Sequence, residues 1–206
     1  LKRACDQLRQ WQLIDESFAD LRIQVNLSGR DVAQAGLTGR ISQALLGAGL
    51  QAQHLTLELT ENILMERLET ALPMLEELRG LGVRLSVDDF GTGYSSLAHL
   101  STLPIDSLKV DRSFVRNLSA GSKEAMVVRG IVQLGQSLGK DVVAEGIETA
   151  SQFDQLRGMG CRLGQGFLMA RPMSAERITA LLVGQQPWTG GVALPVALNP
   201  LATQLH

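Results

Sequence analysis

Six short strand-like runs, four of them alternating apolar and polar residues, separated by stretches with helical period, restrict what this chain can become. Strand–helix alternation of that kind means parallel strands covered by helices. Successive strand side chains point to opposite faces. In Leu21–Ser28, Leu21, Ile23, Val25 and Leu27 take one face, and Arg22, Gln24, Asn26 and Ser28 the other. In His54–Thr60, Leu55, Leu57 and Leu59 oppose Thr56, Glu58 and Thr60. Val83, Leu85 and Val87 oppose Arg84, Ser86 and Asp88, and Leu108 and Val110 oppose Ser107, Lys109 and Asp111. Asp141–Glu145 and Cys161–Leu168 read as the fifth and sixth strands. An open doubly wound sheet is covered on both faces, so both would be apolar. A polar second face fits a closed barrel leading to a wet site. The expected fold is an α/β, modified TIM (β/α)8-type barrel. Such a barrel has eight strands, so the missing pair is expected upstream of Leu1.

Helical period marks residues 1–12, 37–48, 63–81, 123–138, 149–157 and 175–183. Pro73 is expected to kink or restart the third of these. Ser95 and Ser96 can cap a short helix through Leu100. The chain opens in mid-helix pattern at Leu1 with no Met, which suggests an excerpt of a longer polypeptide. Residues 1–186 form the expected barrel domain, and the Pro- and Gly-rich stretch 187–206 a disordered tail.

Composition narrows the function classes. The apolar fraction of 45% is globular, and a net charge of −2 gives no basic excess for long nucleic acid. No apolar run is long enough to span a membrane, and no signal-peptide pattern opens the chain. Cys5 and Cys161 lack metal-type spacing and read as reduced thiols, pointing to a cytoplasmic location.

Polar residues gather at the C-terminal strand ends, which in a TIM-type barrel is the catalytic face. Glu58, Glu61, Asp88, Asp89, Asp111, Glu145 and Glu148 would converge there. Such a group cannot stay ionised at close range without countercharge. Protonation, Lys109 and divalent cations are the available answers. Oxygen ligands without a His or Cys cluster select hard ions such as Mg²⁺ or Mn²⁺. Two such ions form a machine for phosphoester displacement. The competing reading is a purely structural charge network. A third is an enolase-type barrel, which needs a proton-abstracting base opposite the metal.

Six motifs occur in order: Val25-Asn26-Leu27-Ser28, Glu58-Leu59-Thr60-Glu61, Asp88-Asp89-Phe90-Gly91-Thr92-Gly93-Tyr94-Ser95-Ser96-Leu97, Leu108-Lys109-Val110-Asp111, Ala144-Glu145-Gly146-Ile147-Glu148-Thr149 and Gly164-Gln165-Gly166-Phe167. Together, over about Leu1 to Val183, they resemble the EAL-domain family of cyclic di-GMP phosphodiesterases. The resemblance implies hydrolysis of this bacterial second messenger to linear pGpG with two Mg²⁺ or Mn²⁺ ions. It implies metal ligands at Asn26, Glu58, Asp88, Asp89 and Glu145, with Asp88 bridging and Asp111 close by. Lys109 would hold the attacking water, and Glu145 is also a candidate general base. Gln165, Phe167 and Pro172 would bind substrate. Glu61 would brace the loop after Asp89, and Glu148 would support the site from behind. A homodimer and neighbouring sensor or diguanylate-cyclase (GGDEF) domains are implied too. The Glu-Ala-Leu segment itself, a metal ligand of the family, is expected ahead of Leu1. Gly29-Arg30 departs from the family's usual Pro or polar residue. The alternative within the family is a catalytically inactive cyclic di-GMP receptor. Retention of Glu58 and the Asp pair argues against it.

Overall fold

The computed structural model describes residues 1–93 and 97–184. The stretch 187–206 read as a tail, and the capping serines Ser95 and Ser96, lie outside these residues. Helix α1 (Lys2–Gln12) leads to β1 (Ile23–Asn26), α2 (Gly29–Ala33) and α3 (Leu37–Ala48). Then come β2 (Leu55–Thr60), α4 (Glu61–Glu66), α5 (Leu68–Gly80), β3 (Arg84–Phe90) and α6 (Leu97–Thr102). The series closes with β4 (Ser107–Val110), α7 (Arg112–Arg116), α8 (Lys123–Ser137), β5 (Asp141–Ala144), α9 (Ala150–Gly158), β6 (Leu163–Gly164) and α10 (Ala175–Val183).

The six strands form one sheet in the order β1-β2-β3-β4-β5-β6, every neighbouring pair parallel. Strand order that follows chain order, with a helical crossover each time, is the winding of a barrel wall. Leu55, Leu57, Leu59, Leu85, Val87, Leu108 and Val110 are all buried in the core. Leu8, Ile41, Leu75, Val128, Phe153 and Ile178 join them from the helices. The opposite face is polar and also buried at Thr56, Glu58, Ser86, Asp88 and Lys109. The expected parallel barrel architecture is therefore present as a half-barrel of six strands. Among the described residues no helix is long and apolar enough to cross a membrane.

Local chemistry sets the helix starts. Ser122 accepts from the Ala125 amide, and Thr149 and Gln152 form a reciprocal capping box. Two short helices are not expected from periodicity. α2 starts at a capping box between Ser28 and Asp31, and α7 at Asp111, which accepts from the Ser113 amide. The expected helix over 63–81 is two helices, and the break is not at Pro73. It falls at Arg67, whose backbone leaves the helical region at φ −129°. Pro73 lies inside α5, where it forfeits one helical hydrogen bond without ending the helix. The sixth strand is shorter than Cys161–Leu168. Beyond Gly164 the chain folds onto Ile147, whose amide donates to the Gln165 carbonyl (3.1 Å) and whose carbonyl accepts from Leu168 (2.9 Å).

Candidate active site

One irregularity in β3 builds the site. Val87 pairs with Leu108, but the next pairing is Phe90 with Val110. β3 thus carries one extra residue at Asp88-Asp89, a bulge of the kind that re-aims side chains. Asp89 takes φ 55°, the one non-glycine residue with positive φ among the described residues. Regular alternation would send adjacent carboxylates to opposite faces. The bulge instead brings one carboxylate oxygen each from Asp88, Asp89 and Glu145 within 4.8 Å of one another.

Lys109 stands beside them, fully buried. Its Nζ lies 2.9 Å from Glu58 Oε2, 3.1 Å from Asp88 Oδ1 and 2.6 Å from Glu145 Oε1. Burial pulls an ammonium toward neutrality, yet Glu145, Glu58 and Asp88 outweigh it and hold the Lys109 proton more tightly than usual. A proton-abstracting lysine must be neutral, so Lys109 in this arrangement is a poor base for an enolase-type barrel. Glu145 is pushed up to about 7, by burial first; Lys109 opposes this and Asp88 adds to it. Gln165 Nε2 donates at 2.7 Å to Glu145 Oε1, the same oxygen that meets Lys109.

Asp89 is also raised, by burial, then by Asp88 and Asp111. Asp111 goes the other way: burial raises it, but the Ser113 hydroxyl and amide and Asp89 outweigh that. Glu61 is buried and accepts from the Gly91 amide (2.8 Å) and the Gly93 amide (3.2 Å) through Oε2. It thereby holds the loop after the bulge, where a Cβ on Gly93 would come within 2.9 Å of Glu61 Oε1.

Of the expected site residues, Glu58, Asp88, Asp89, Lys109, Glu145 and Gln165 meet, with Asp111 against Asp89. Asn26 reaches the same rim by register, paired with Glu58 at the end of β1. Phe167 and Pro172 are exposed on the loops beyond β6. Glu148 is exposed, and its backbone amide donates to the Gln152 capping side chain. Sequence reasoning missed Ser113, which sets Asp111, and Gln152, which anchors the Glu148-Thr149 turn. A Thr followed three residues later by Gln is a capping signature and was the available signal for the latter.

The donor set fits a hard divalent cation. Carboxylate oxygens converge, and Lys109 supplies one positive charge against Glu58, Asp88 and Glu145. The chemistry open to such a site is metal-assisted hydrolysis.

Comparison with known proteins agrees. The model of the EAL domain family matches residues 1–172. The bifunctional diguanylate cyclase/cyclic di-GMP phosphodiesterase MucR of Pseudomonas aeruginosa is 46% identical over 180 residues, 87% of this chain and 26% of that protein. The cyclic di-GMP phosphodiesterase NbdA of the same organism is 46% identical over 182 residues, 88% of this chain and 23% of that one. This chain thus spans about a quarter of these curated relatives. Among solved structures, the PaMucR phosphodiesterase in complex with c-di-GMP superposes with a TM-score of 0.81 at 45% identity, covering 86% of this chain and 76% of that one. The Klebsiella pneumoniae BlrP1 manganese/cy-diGMP complex superposes with a TM-score of 0.75 at 32% identity, covering 82% and 42%.

Proposed function

This chain belongs to the EAL domain family, and on that premise we propose that it hydrolyses cyclic di-GMP to linear pGpG with two divalent cations, Mg²⁺ or Mn²⁺. The observation that carries the proposal is the buried Lys109 among Glu58, Asp88 and Glu145, beside the Asp88, Asp89 and Glu145 trio. In this reading Asn26, Glu58 and Asp88 would hold one cation and Asp88, Asp89 and Glu145 would hold the other, with Asp111 bracing Asp89. When bound, such ions lower the pKa of water and neutralise charge on the phosphoryl oxygens.

The chain's own side chains do the rest. Lys109 keeps its proton, and it would hold the attacking water by exchanging for it one of its three carboxylate contacts, with Glu58, Asp88 or Glu145. Glu145, beside Lys109 and held by Gln165, takes the water's proton as general base. The new oxygen–phosphorus bond forms as the bond to the ribose 3′-oxygen breaks; that oxygen takes a proton from solvent, and Glu145 returns the proton it took to solvent. Gln165, Phe167 and Pro172 hold the substrate. Glu61 keeps the Gly91–Gly93 loop in place, and Glu148 supports the Gly146–Thr149 turn.

The barrel, residues 1–186, is proposed to act within a longer, cytoplasmic protein as a homodimer, joined to sensor or diguanylate-cyclase domains. The length of its curated relatives supports the further domains.

The test is incubation of the full-length protein with cyclic di-GMP and Mg²⁺ or Mn²⁺, following pGpG by chromatography, with Asp88→Asn beside it. Product that disappears on chelation and in Asp88→Asn is the expected result. Tight binding without product would turn the reading to a receptor.

A further inference from the structure

Glu145 lies one residue beyond the end of β5, where the regular ladder stops. Its amide still donates to the Val110 carbonyl at 3.2 Å, and the chain then turns at Gly146, φ 70°. Two anchors fix that turn. On the inner side Ile147 is buried; it donates to the Gln165 carbonyl and accepts from the Leu168 amide. On the outer side the anchor is one side chain, Gln152. It is 7% exposed, and its Oε1 accepts from the Glu148 amide (2.8 Å) and the Thr149 amide (2.9 Å).

A capping box accounts for the Thr149 contact. It does not require the second one, from Glu148, nor the direction in which the rest of the amide points. Gln152 Nε2 faces the Arg116 carbonyl at 3.4 Å, a long contact, at the C-terminal end of α7. α7 begins at Asp111, whose carboxyl meets that of Asp89. The same helix receives the near end of the turn, where a Cβ on Gly146 would come within 2.7 Å of Arg112 Cβ. Asp89 and Glu145, two of the three carboxylates that converge, are therefore both referenced to one short helix. Gln152 is the side chain that ties the Glu145 turn to it.

We propose that Gln152 is a positioning residue: it seats the Glu145 turn against α7 and so sets the spacing of Glu145 from Asp88 and Asp89, the carboxylates that would share a cation. This rests on the metal-dependent reading above and adds to it the residue behind that cation's ligands. Removing a group that orients a metal ligand costs about 10–100-fold in metal affinity.

The experiment titrates Mn²⁺ into the metal-free full-length protein by calorimetry. It compares wild type, Gln152→Ala, Gln152→Asn and Gln152→Glu, each shown to be folded at the working temperature by circular dichroism. Any Mn²⁺ sites elsewhere in the protein are common to all four. Glu keeps an acceptor at the same reach, as capping boxes allow. Asn stops one methylene short of the two amides and carries the test if Gln152→Ala unfolds. Gln152→Ala and Gln152→Asn are expected to bind Mn²⁺ about tenfold more weakly at this site. Their rate of cyclic di-GMP hydrolysis should fall at limiting Mn²⁺ and recover at saturating Mn²⁺. Gln152→Glu should restore the affinity. A residue that only caps α9 would lower the melting temperature and leave Mn²⁺ affinity unchanged, and that outcome overturns the inference. So does a Gln152→Glu protein that stays as weak as Gln152→Ala. A wild type that binds Mn²⁺ without releasing pGpG overturns the phosphodiesterase reading alone, since the titration still decides the role of Gln152. A wild type that binds no Mn²⁺ overturns both.

Discussion

Lys109 is held by partners that each need it. Burying an ammonium costs several kcal/mol, and so does burying each carboxylate around it. The three contacts at 2.6–3.1 Å return that cost only while all members are present. Truncating one partner of a buried charge group costs about 3–5 kcal/mol, because the others stay buried and unpaired. Lys109→Met is therefore expected to lower the melting temperature of the metal-free protein by roughly 10 °C for a chain of this size. Mn²⁺ should recover part of that loss, since a cation among Glu58, Asp88 and Glu145 replaces the missing charge. Melts that match wild type with and without Mn²⁺ would remove Lys109 as the electrostatic keystone. Asp89 gives a second comparison. At φ 55° its backbone is tolerated best by Asn among non-glycine residues and poorly by Ala. Both Asp89→Asn and Asp89→Ala lose the carboxylate, but Asp89→Ala should be less stable by a further ~1 kcal/mol in urea melts. Equal stabilities would show that the bulge does not depend on that conformation.

At the scale of elements, two glycines of α8 separate helix propensity from packing. Gly130 is exposed, and a Cβ there would meet nothing within 4 Å, whereas a Cβ on Gly135 would come within 2.2 Å of Val142 Cγ2 on β5. Gly130→Ala should stabilise by ~0.5–1 kcal/mol through backbone entropy. Gly135→Ala gains the same entropy but must push α8 off the sheet, a cost of about 1–3 kcal/mol in a packed core. Chemical denaturation should give shifts of opposite sign, and two shifts of the same sign would mean that α8 is not seated on β5 as described. The same contrast explains what the sequence disclosed. Strands and long helices were legible because Leu55, Leu57 and Leu59, or Val128 and Ile131, repeat with the period of their element. The polar face of β2 to β4 was legible too, and with it the barrel and most of the candidate site. The bulge at Asp88-Asp89 was not, because alternation puts those two carboxylates on opposite faces and only the pairing of β3 with β4 reveals the extra residue. The break at Arg67 was hidden for a related reason. No breaker residue stands there, while Pro73, the conspicuous one, is absorbed within α5.

At the scale of the whole molecule, the chain's two halves of chemistry are separated along the strands. Carboxylates and Lys109 sit at the C-terminal ends, whereas His54 lies just before β2, at the other end. There Gln12 Nε2, at the end of α1, stands 3.0 Å from His54 Nδ1 and donates to the carbonyls of Ala19 and Leu21 at 3.1 Å. The amide nitrogen carries two hydrogens and no lone pair, so a neutral His54 accepts at Nδ1 by sharing a hydrogen with one of the carbonyls, whereas a protonated ring would turn a donor toward a donor. α1, the segment before β1 and the start of β2 are thus joined through one amide group. Burial holds His54 below its ordinary value; Asp20 opposes this and Arg22 adds to it. The sign follows from where the proton binds first. As pH falls through about 6.5, the unfolded chain takes up the proton while the folded chain resists, so stability falls with pH across that window. Above it both forms are neutral and His54 contributes no slope. His54→Asn keeps an acceptor oxygen near the Nδ1 position but cannot titrate. Its urea-melt stability should match wild type near pH 8 and decline less steeply between pH 6.5 and 5. Because the group lies away from the carboxylates, the pH profile of hydrolysis should be the same in both proteins. A variant with the wild-type decline in stability would assign that slope to other groups, and one with an altered kinetic profile would mean that the two ends of the barrel are coupled.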